Sequence, residues 1–305
     1  MAADVIITEK LGKRYGKVRA VEAVSLSIKG GEIYGFLGLN GAGKTTTIRM
    51  LLAMIKPDTG AAYINGQKVH AGNYRLWEQA GCLVETARAY PDLTVAENLE
   101  IVRRMHRIND AKAVNGVIEK LRLTPFRDRK AKALSLGNVQ RLGLAKAFIH
   151  HPQILVLDEP SNGLDPAGIV EIRQLLLDMA RNDGVTVFIS SHILSEISRL
   201  ADRIGIIHQG RILQEIQTSR LEELSQKRLL VKTCGLEDTR LLLEQKGYEV
   251  SYSADKEALV VTGKTAAKPE IIAALLVQSG HSLTMLKTEE EDLEGYFLRI
   301  VGGVQ

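Results

Sequence analysis

One stretch, Gly38-Leu39-Asn40-Gly41-Ala42-Gly43-Lys44-Thr45, restricts the folds open to this chain more than any other. It follows a short apolar run, Ile33 to Leu37, that reads as a buried strand. It precedes an apolar-faced helical pattern, Thr46 to Ile55, that stops near Pro57. Glycines at 38, 41 and 43 let the backbone turn sharply and approach an anion with no side chain in the way. The amides of such a turn point inward as a nest, and the following helix adds its positive end. The spacing fits G-x-x-x-x-G-K-[ST], a phosphate-binding loop. Lys44 then brings a point charge to the outer phosphates of a nucleotide, and the Thr45 hydroxyl is placed to ligate Mg2+. The plain alternative is a glycine-rich turn that happens to carry a lysine; strand before and helix after weigh against it.

The 305 residues suffice for one large and one small domain without covalent staples. Forty basic against 36 acidic residues, well mixed, leave a net charge of +4, too weak to argue for nucleic acid. The two cysteines, Cys82 and Cys234, are far apart and form no metal-like pair, which points to a reducing compartment. No basic and apolar leader opens the sequence, and no apolar run nears the roughly 18 residues that cross a bilayer. The expectation is a protein soluble by itself.

Along the chain, residues 5 to 37 alternate like antiparallel strands, the last entering the phosphate loop. Tyr15 lies between the first two of them and is as ready to be a packed surface residue as to stack on a purine. Residues 59–66 read as a hairpin with an Asn65-Gly66 turn, and Gly81 to Val84 as a strand running into Glu85. Taken alone, a carboxylate such as Glu85 is more often a solvated charge than a functional group at a strand end. Thr94 and Glu97 form a capping box, and helical periodicity continues over 95–121 with a break near Asn109-Asp110. Leu134 to Asn138 precedes a helical pattern, an arrangement shared by anion sites and ordinary N-caps.

Ile154 to Leu157, four apolar residues in a row, suits a parallel strand buried on both faces, with Asp158 and Glu159 at its end. With a phosphate loop upstream, Asp158 would reach the Mg2+ held by Thr45, and Glu159 would orient or deprotonate a water beside the γ-phosphate. Ser161 to Pro166 turns into a helix that Pro166 starts. A further buried strand, Val185 to Ser190, leads to His192, placed to donate to a γ-phosphate oxygen.

In combination, over about residues 4 to 217, these pieces resemble the ATP-binding subunit of ABC transporters. The resemblance implies an α/β fold of ABC-ATPase type, with a mixed-sheet core, an antiparallel β subdomain and a helical subdomain at about 86–150. Gly38 to Thr46 looks like the Walker A loop, Ile154 to Glu159 the Walker B strand, and Ser161 to Asp165 the D-loop. His192 resembles the switch histidine and Tyr15 the adenine-stacking aromatic. Leu134 to Asn138 stands in place of the LSGGQ signature: Leu136 and Asn138 depart from it, while Ser135 and Gly137 are kept. Leu39 replaces a proline in the loop, and Glu85 stands where most members carry a glutamine. With Tyr90 to Thr94 and Ser135 to Gly137, Glu85 resembles the branch that exports bacitracin or lantibiotics.

Implied cofactors are ATP and Mg2+, the metal held by Thr45, Asp158 and Glu85. Implied partners are a separately encoded transmembrane permease and a second ATPase subunit. Ser135 to Asn138 of one copy would close on nucleotide held by Lys44 of the other. The implied location is cytoplasmic, at the inner face of the membrane. An ABC ATPase of translation or DNA repair is the competing class, but those usually carry two cassettes or a long coiled coil.

After Gln217 the pattern changes. Strand and helix patterns follow in the order β-α-β-β-α-β, which reads as a ferredoxin-like α+β unit, with a terminal helix over 289–300. The expected domains are 1–220 and 221–305, the second accessory or regulatory.

Overall fold

Two kinds of apolar pattern build the larger part of this molecule. The computed structural model describes residues 3–73, 75–221, 227–262, 268–290 and 293–302. Where every residue of a short run is apolar or small, the strand is buried on both faces. β3 (Ile33–Leu37), β7 (Ile154–Asp158) and β8 (Thr186–Ser191) are buried at all positions. They lie in a six-stranded sheet with β6 (Ala80–Leu83), β9 (Arg203–His208) and β10 (Arg211–Gln217) in the order β10-β9-β3-β8-β7-β6. All neighbours are parallel except the β10 edge, and parallel strands are the kind that fold under cover on both faces.

Where apolar residues alternate, the strands pair antiparallel. β1 (Asp4–Tyr15), β2 (Val18–Lys29), β4 (Thr59–Ile64) and β5 (Gln67–Lys68) form a second sheet in the order β2-β1-β4-β5. The sequence expectation that the strand entering the phosphate loop belongs to this antiparallel set is therefore corrected. β3 joins the parallel sheet because Ile-Tyr-Gly-Phe-Leu has no polar side to turn to water. The expected hairpin forms, with Asn65 at φ 49° and Gly66 at φ 71°. Tyr15 ends β1 instead of lying between strands.

Helix α1 (Lys44–Leu51) packs against both sheets. Its Ile48, Met50 and Leu51 join Ile6, Leu26, Phe36, Val156 and Phe188 in one core. Phe188 lies 5.7 Å from the Tyr34 ring and 5.2 Å from the Phe36 ring. The Tyr34 hydroxyl donates to Glu215 (2.7 Å), and burial, reinforced by that carboxylate, pushes its pKa well above the usual value.

α2 (Arg75–Gln79) leads into β6, after which the chain becomes helical. The periodic stretch divides as expected into α3 (Val95–Met105) and α4 (Ala113–Lys120). The capping box is complete: Glu97 N–H donates to Thr94 Oγ1 (3.2 Å) and Thr94 N–H to Glu97 Oε2 (2.7 Å). α5 (Leu136–Phe148) then starts at the Ser135 cap, α6 (Pro166–Asn182) follows β7, and the short α7 (Leu194–Ile197) follows β8.

The chain divides into two compact units, Met1–Thr218 and Ser219–Gln305. The second comprises β11 (Lys227–Thr233), α8 (Leu236–Gln245), β12 (Glu249–Ser253), β13 (Ala258–Thr262), α9 (Pro269–Gln278), β14 (Leu283–Glu290) and α10 (Leu293–Gly302). Its strands are antiparallel in the order β12-β13-β11-β14. Leu229, Val231, Leu243, Leu259, Val261, Ile272 and Leu276 form its own core. The terminal helix begins later than the pattern implied, because Glu289 and Glu290 extend β14 against Arg228 and Lys227; positions 291–292 lie outside the described residues.

Phe188→Ala should cost about 3–5 kcal/mol, since it opens a cavity between two other rings; urea unfolding measures it. Because each unit has its own core, a chain ending at residue 221 should unfold in one cooperative transition by circular dichroism.

Candidate active site

The loop after β3 is shaped by lack of room. A Cβ on Gly38 would lie 2.5 Å from the Ile207 carbonyl oxygen, and one on Gly43 would lie 2.5 Å from that of Ala20. Gly43, the N-cap of α1, has φ 108°, and Gly41 has φ 80° facing open space. No side chain caps the helix start. Leu39 and Asn40 are exposed, Ala42 is buried, and Thr46 is half-buried on the first turn.

Lys44 is only 6% exposed. Its Nζ donates to the carbonyl oxygens of Gly38 (2.6 Å) and Leu39 (3.3 Å) and lies 3.2 Å from Glu159 Oε1. The ammonium is thus folded back into its own loop. Beside it, Thr45 Oγ1 donates to Asp158 Oδ2 (2.7 Å), and Ser190 Oγ donates to Asp158 Oδ1 (2.5 Å). Asp158 is 1% exposed, so both carboxylate oxygens take a hydroxyl partner, as a buried charge requires.

Glu159 follows in the left-handed region, at φ 51°, a backbone state that non-glycine residues hold only when their surroundings enforce it. Its N–H donates to Ser190, at Oγ (3.1 Å) and at O (3.3 Å), and Gln140 Nε2 donates to the carbonyl oxygens of Glu159 (3.4 Å) and Pro160 (3.1 Å). So turned, its Oε2 meets His192 Nδ1 at 2.8 Å, opposite Lys44.

The structure therefore brings together Lys44, Thr45, Asp158, Glu159 and His192. It leaves four expected groups without a hydrogen bond to this cluster. Glu85, just past β6 at φ 58°, pairs with Arg49 on α1 (Nη2 to Oε1, 2.6 Å). Tyr15 is 47% exposed, with Lys13 Nζ 5.8 Å from its ring centroid. Ser135 Oγ accepts from Asn138 N–H (3.4 Å) at the start of α5, while Leu136 is exposed and touches Gly163. A Cβ on Gly137 would stand 3.0 Å from the Gly163 oxygen. Asp165 caps α6 through Gly168 N–H (3.0 Å).

Sequence reasoning missed Ser190, Gln140 and Arg49. A serine directly after the apolar run Val187-Phe188-Ile189 of a buried strand was a signal for the first. Gln140 and Arg49 sit on helices whose facing partners no spacing shows.

The arrangement suits a phosphorylated ligand: glycine backbone without space for side chains, an uncapped helix N-terminus and a buried ammonium. Thr45 and Asp158 supply hard oxygen donors of the kind Mg2+ accepts. The chain matches the family described as ABC transporter over residues 21–162. It is 38% identical over 301 residues to the bacitracin transport ATP-binding protein BcrA of Bacillus licheniformis, spanning 99% of this chain and 98% of that protein. The chain belongs to the ABC transporter ATP-binding proteins.

As an ABC transporter ATPase it also aligns at 35% identity over 225 residues with the lantibiotic transport ATP-binding protein SrtF of Streptococcus pyogenes, covering 73% of this chain and 96% of that one. Its fold superposes on a dimeric ATP-binding cassette in a post-hydrolysis state bound to ADP and Pi. The TM-score is 0.65 and the identity 26%, over 70% of this chain and 98% of the other. Membership of this family implies that the chain binds ATP. Among the described residues, no helix is long and apolar enough to cross a membrane.

Ser190→Ala should lower stability by about 1.5–3 kcal/mol in urea unfolding, because it removes a hydrogen bond to a buried carboxylate. It should lower ATP turnover as well.

Proposed function

We propose that this protein is the ATP-hydrolysing subunit of an exporter for a peptide antibiotic or similar amphiphile, working in the cytoplasm at the inner face of the membrane against a separately encoded permease. The observation that carries this reading is the likeness to a bacitracin transport ATP-binding protein along almost the whole chain, second unit included. The carboxylate at Glu85 and the Ser135-Leu136-Gly137 stretch support the same branch.

In this reading the amides of Leu39 to Thr46 cradle the phosphates, and Lys44 leaves its own carbonyls to bind them. Tyr15 offers an exposed ring to the adenine. Thr45, Asp158 and Glu85 would hold Mg2+, which would supply positive charge to offset what develops on the phosphates. Released from Lys44, Glu159 accepts the proton of the attacking water. His192 holds the Glu159 carboxylate through Nδ1, and a γ-phosphate oxygen can accept from the ring's other nitrogen if that nitrogen carries the proton.

The functional form is a head-to-tail pair with a second copy or a related ATPase. Ser135 and Gly137 of one subunit close the open side of the nucleotide on the other and exclude water before hydrolysis. Asp165 stands at the start of α6 beside that junction. The second unit, with its β-α-β-β-α-β order and four antiparallel strands, is a ferredoxin-like domain that braces or regulates the pair.

Glu159→Gln should lower ATP turnover by about 10²–10⁴-fold, the usual weight of a general base. It should trap an ATP-bound dimer in size-exclusion chromatography; a monomer at every ATP concentration would refute the head-to-tail pair.

A further inference from the structure

We propose that Arg49 is the resting partner of Glu85, a positioning residue that keeps this carboxylate at the far end of α1 until a nucleotide-bound divalent cation at the near end draws it away. The inference rests on the reading of Glu85 as a metal ligand and adds the residue that governs it.

Three observations converge. Glu85 is not at the Thr45–Asp158 cluster but on Arg49, with Nη2 and Oε1 2.6 Å apart. Thr45 and Arg49 are four residues apart on α1, so they share one face of the helix, roughly one turn or 5.4 Å apart along its axis. The residue that holds the Glu85 carboxylate is therefore rooted about one helical turn from the one whose hydroxyl would ligate the metal. Finally, the pair is open to water, at 38% and 48% side-chain exposure. An exposed pair of this kind is weak, which suits a contact made to be broken.

The competition is between two cations on one helix. Arg49 is permanent and lies in the last turn of α1, where the helix dipole favours positive charge. The divalent cation is present only with nucleotide, carries twice the charge and prefers hard oxygen ligands. A neutral side chain at this position would hydrogen-bond Arg49 with about half the strength and would be a weaker ligand for a hard cation. Arg49 thus matters because residue 85 is a glutamate. The motion has a fixed anchor on each side: Leu83 ends β6, and Ala87 lies against Gly143 of α5, where an added Cβ would be 2.5 Å from the Ala87 Cβ.

The test uses the full chain loaded with a non-hydrolysable ATP analogue, with Mn2+ affinity read by electron paramagnetic resonance. Arg49→Met should tighten Mn2+ binding by a factor about two to five larger in the Glu85 chain than in the E85Q chain, which subtracts the plain loss of a positive charge. Arg49→Lys should restore the original affinity. In thermal unfolding without nucleotide or metal, R49M and E85Q should be non-additive; with both ligands bound they should add. Equal effects of R49M in the two backgrounds would make the pair an ordinary surface contact and overturn the proposal. An unchanged Mn2+ affinity in E85Q alone would instead remove Glu85 from the metal site, so the two failures are distinguishable.

Discussion

Two negative charges at the end of a strand with no water on either face set the terms for the rest of this structure. Asp158 closes β7 and is cut off from water, and Glu159 follows it with only a small part of its side chain exposed. Two hydroxyls satisfy the first, one from the phosphate loop and one from β8. An ammonium and an imidazole satisfy the second. These partners arrive on two separate chain segments, after β3 and at the end of β8, which the strand order β3-β8-β7 brings to the end of β7. The sheet therefore acts chiefly as a device for bringing remote counter-charges to one edge.

The same contacts describe a resting state. Lys44 is occupied by the carbonyls of its own loop and by Glu159, so the cation and the base neutralise one another. In the proposed reaction a polyphosphate would compete for Lys44 with charge far larger than one carboxylate, and its arrival would leave Glu159 free for a proton. Binding and activation would then be a single electrostatic exchange. The glycines at 38 and 43 let the loop backbone pass where a Cβ would collide with the carbonyl oxygens of Ile207 and Ala20.

Much of this was legible in the sequence, for identifiable reasons. The phosphate loop, the Asp158-Glu159 pair and His192 sit in short patterns whose neighbours have strong local character: uniformly apolar strands, or a capped helix. The second unit could be written down as an order of elements because its helices and strands differ in period. What was not legible concerns facing surfaces. β3 read as part of an antiparallel run because an apolar strand of five residues does not say which sheet will cover it. Ser190 and Gln140 act at the Glu159 backbone across 31 and 19 residues of chain. The Arg49 contact to Glu85 spans 36 residues, and no periodicity encodes such distances.

Gln140 has a mechanical meaning. It is almost wholly buried, it rises from the same helix whose first turn carries Ser135 and Gly137, and it grips the main chain at Glu159 and Pro160. Glu159 is held at an unfavourable backbone angle partly by that grip. α5 consequently ties the turn that holds Ser135 and Gly137 to the main chain that carries the Glu159 carboxylate. In the proposed pair, pressure on that turn would be felt at the carboxylate without any contact to the nucleotide.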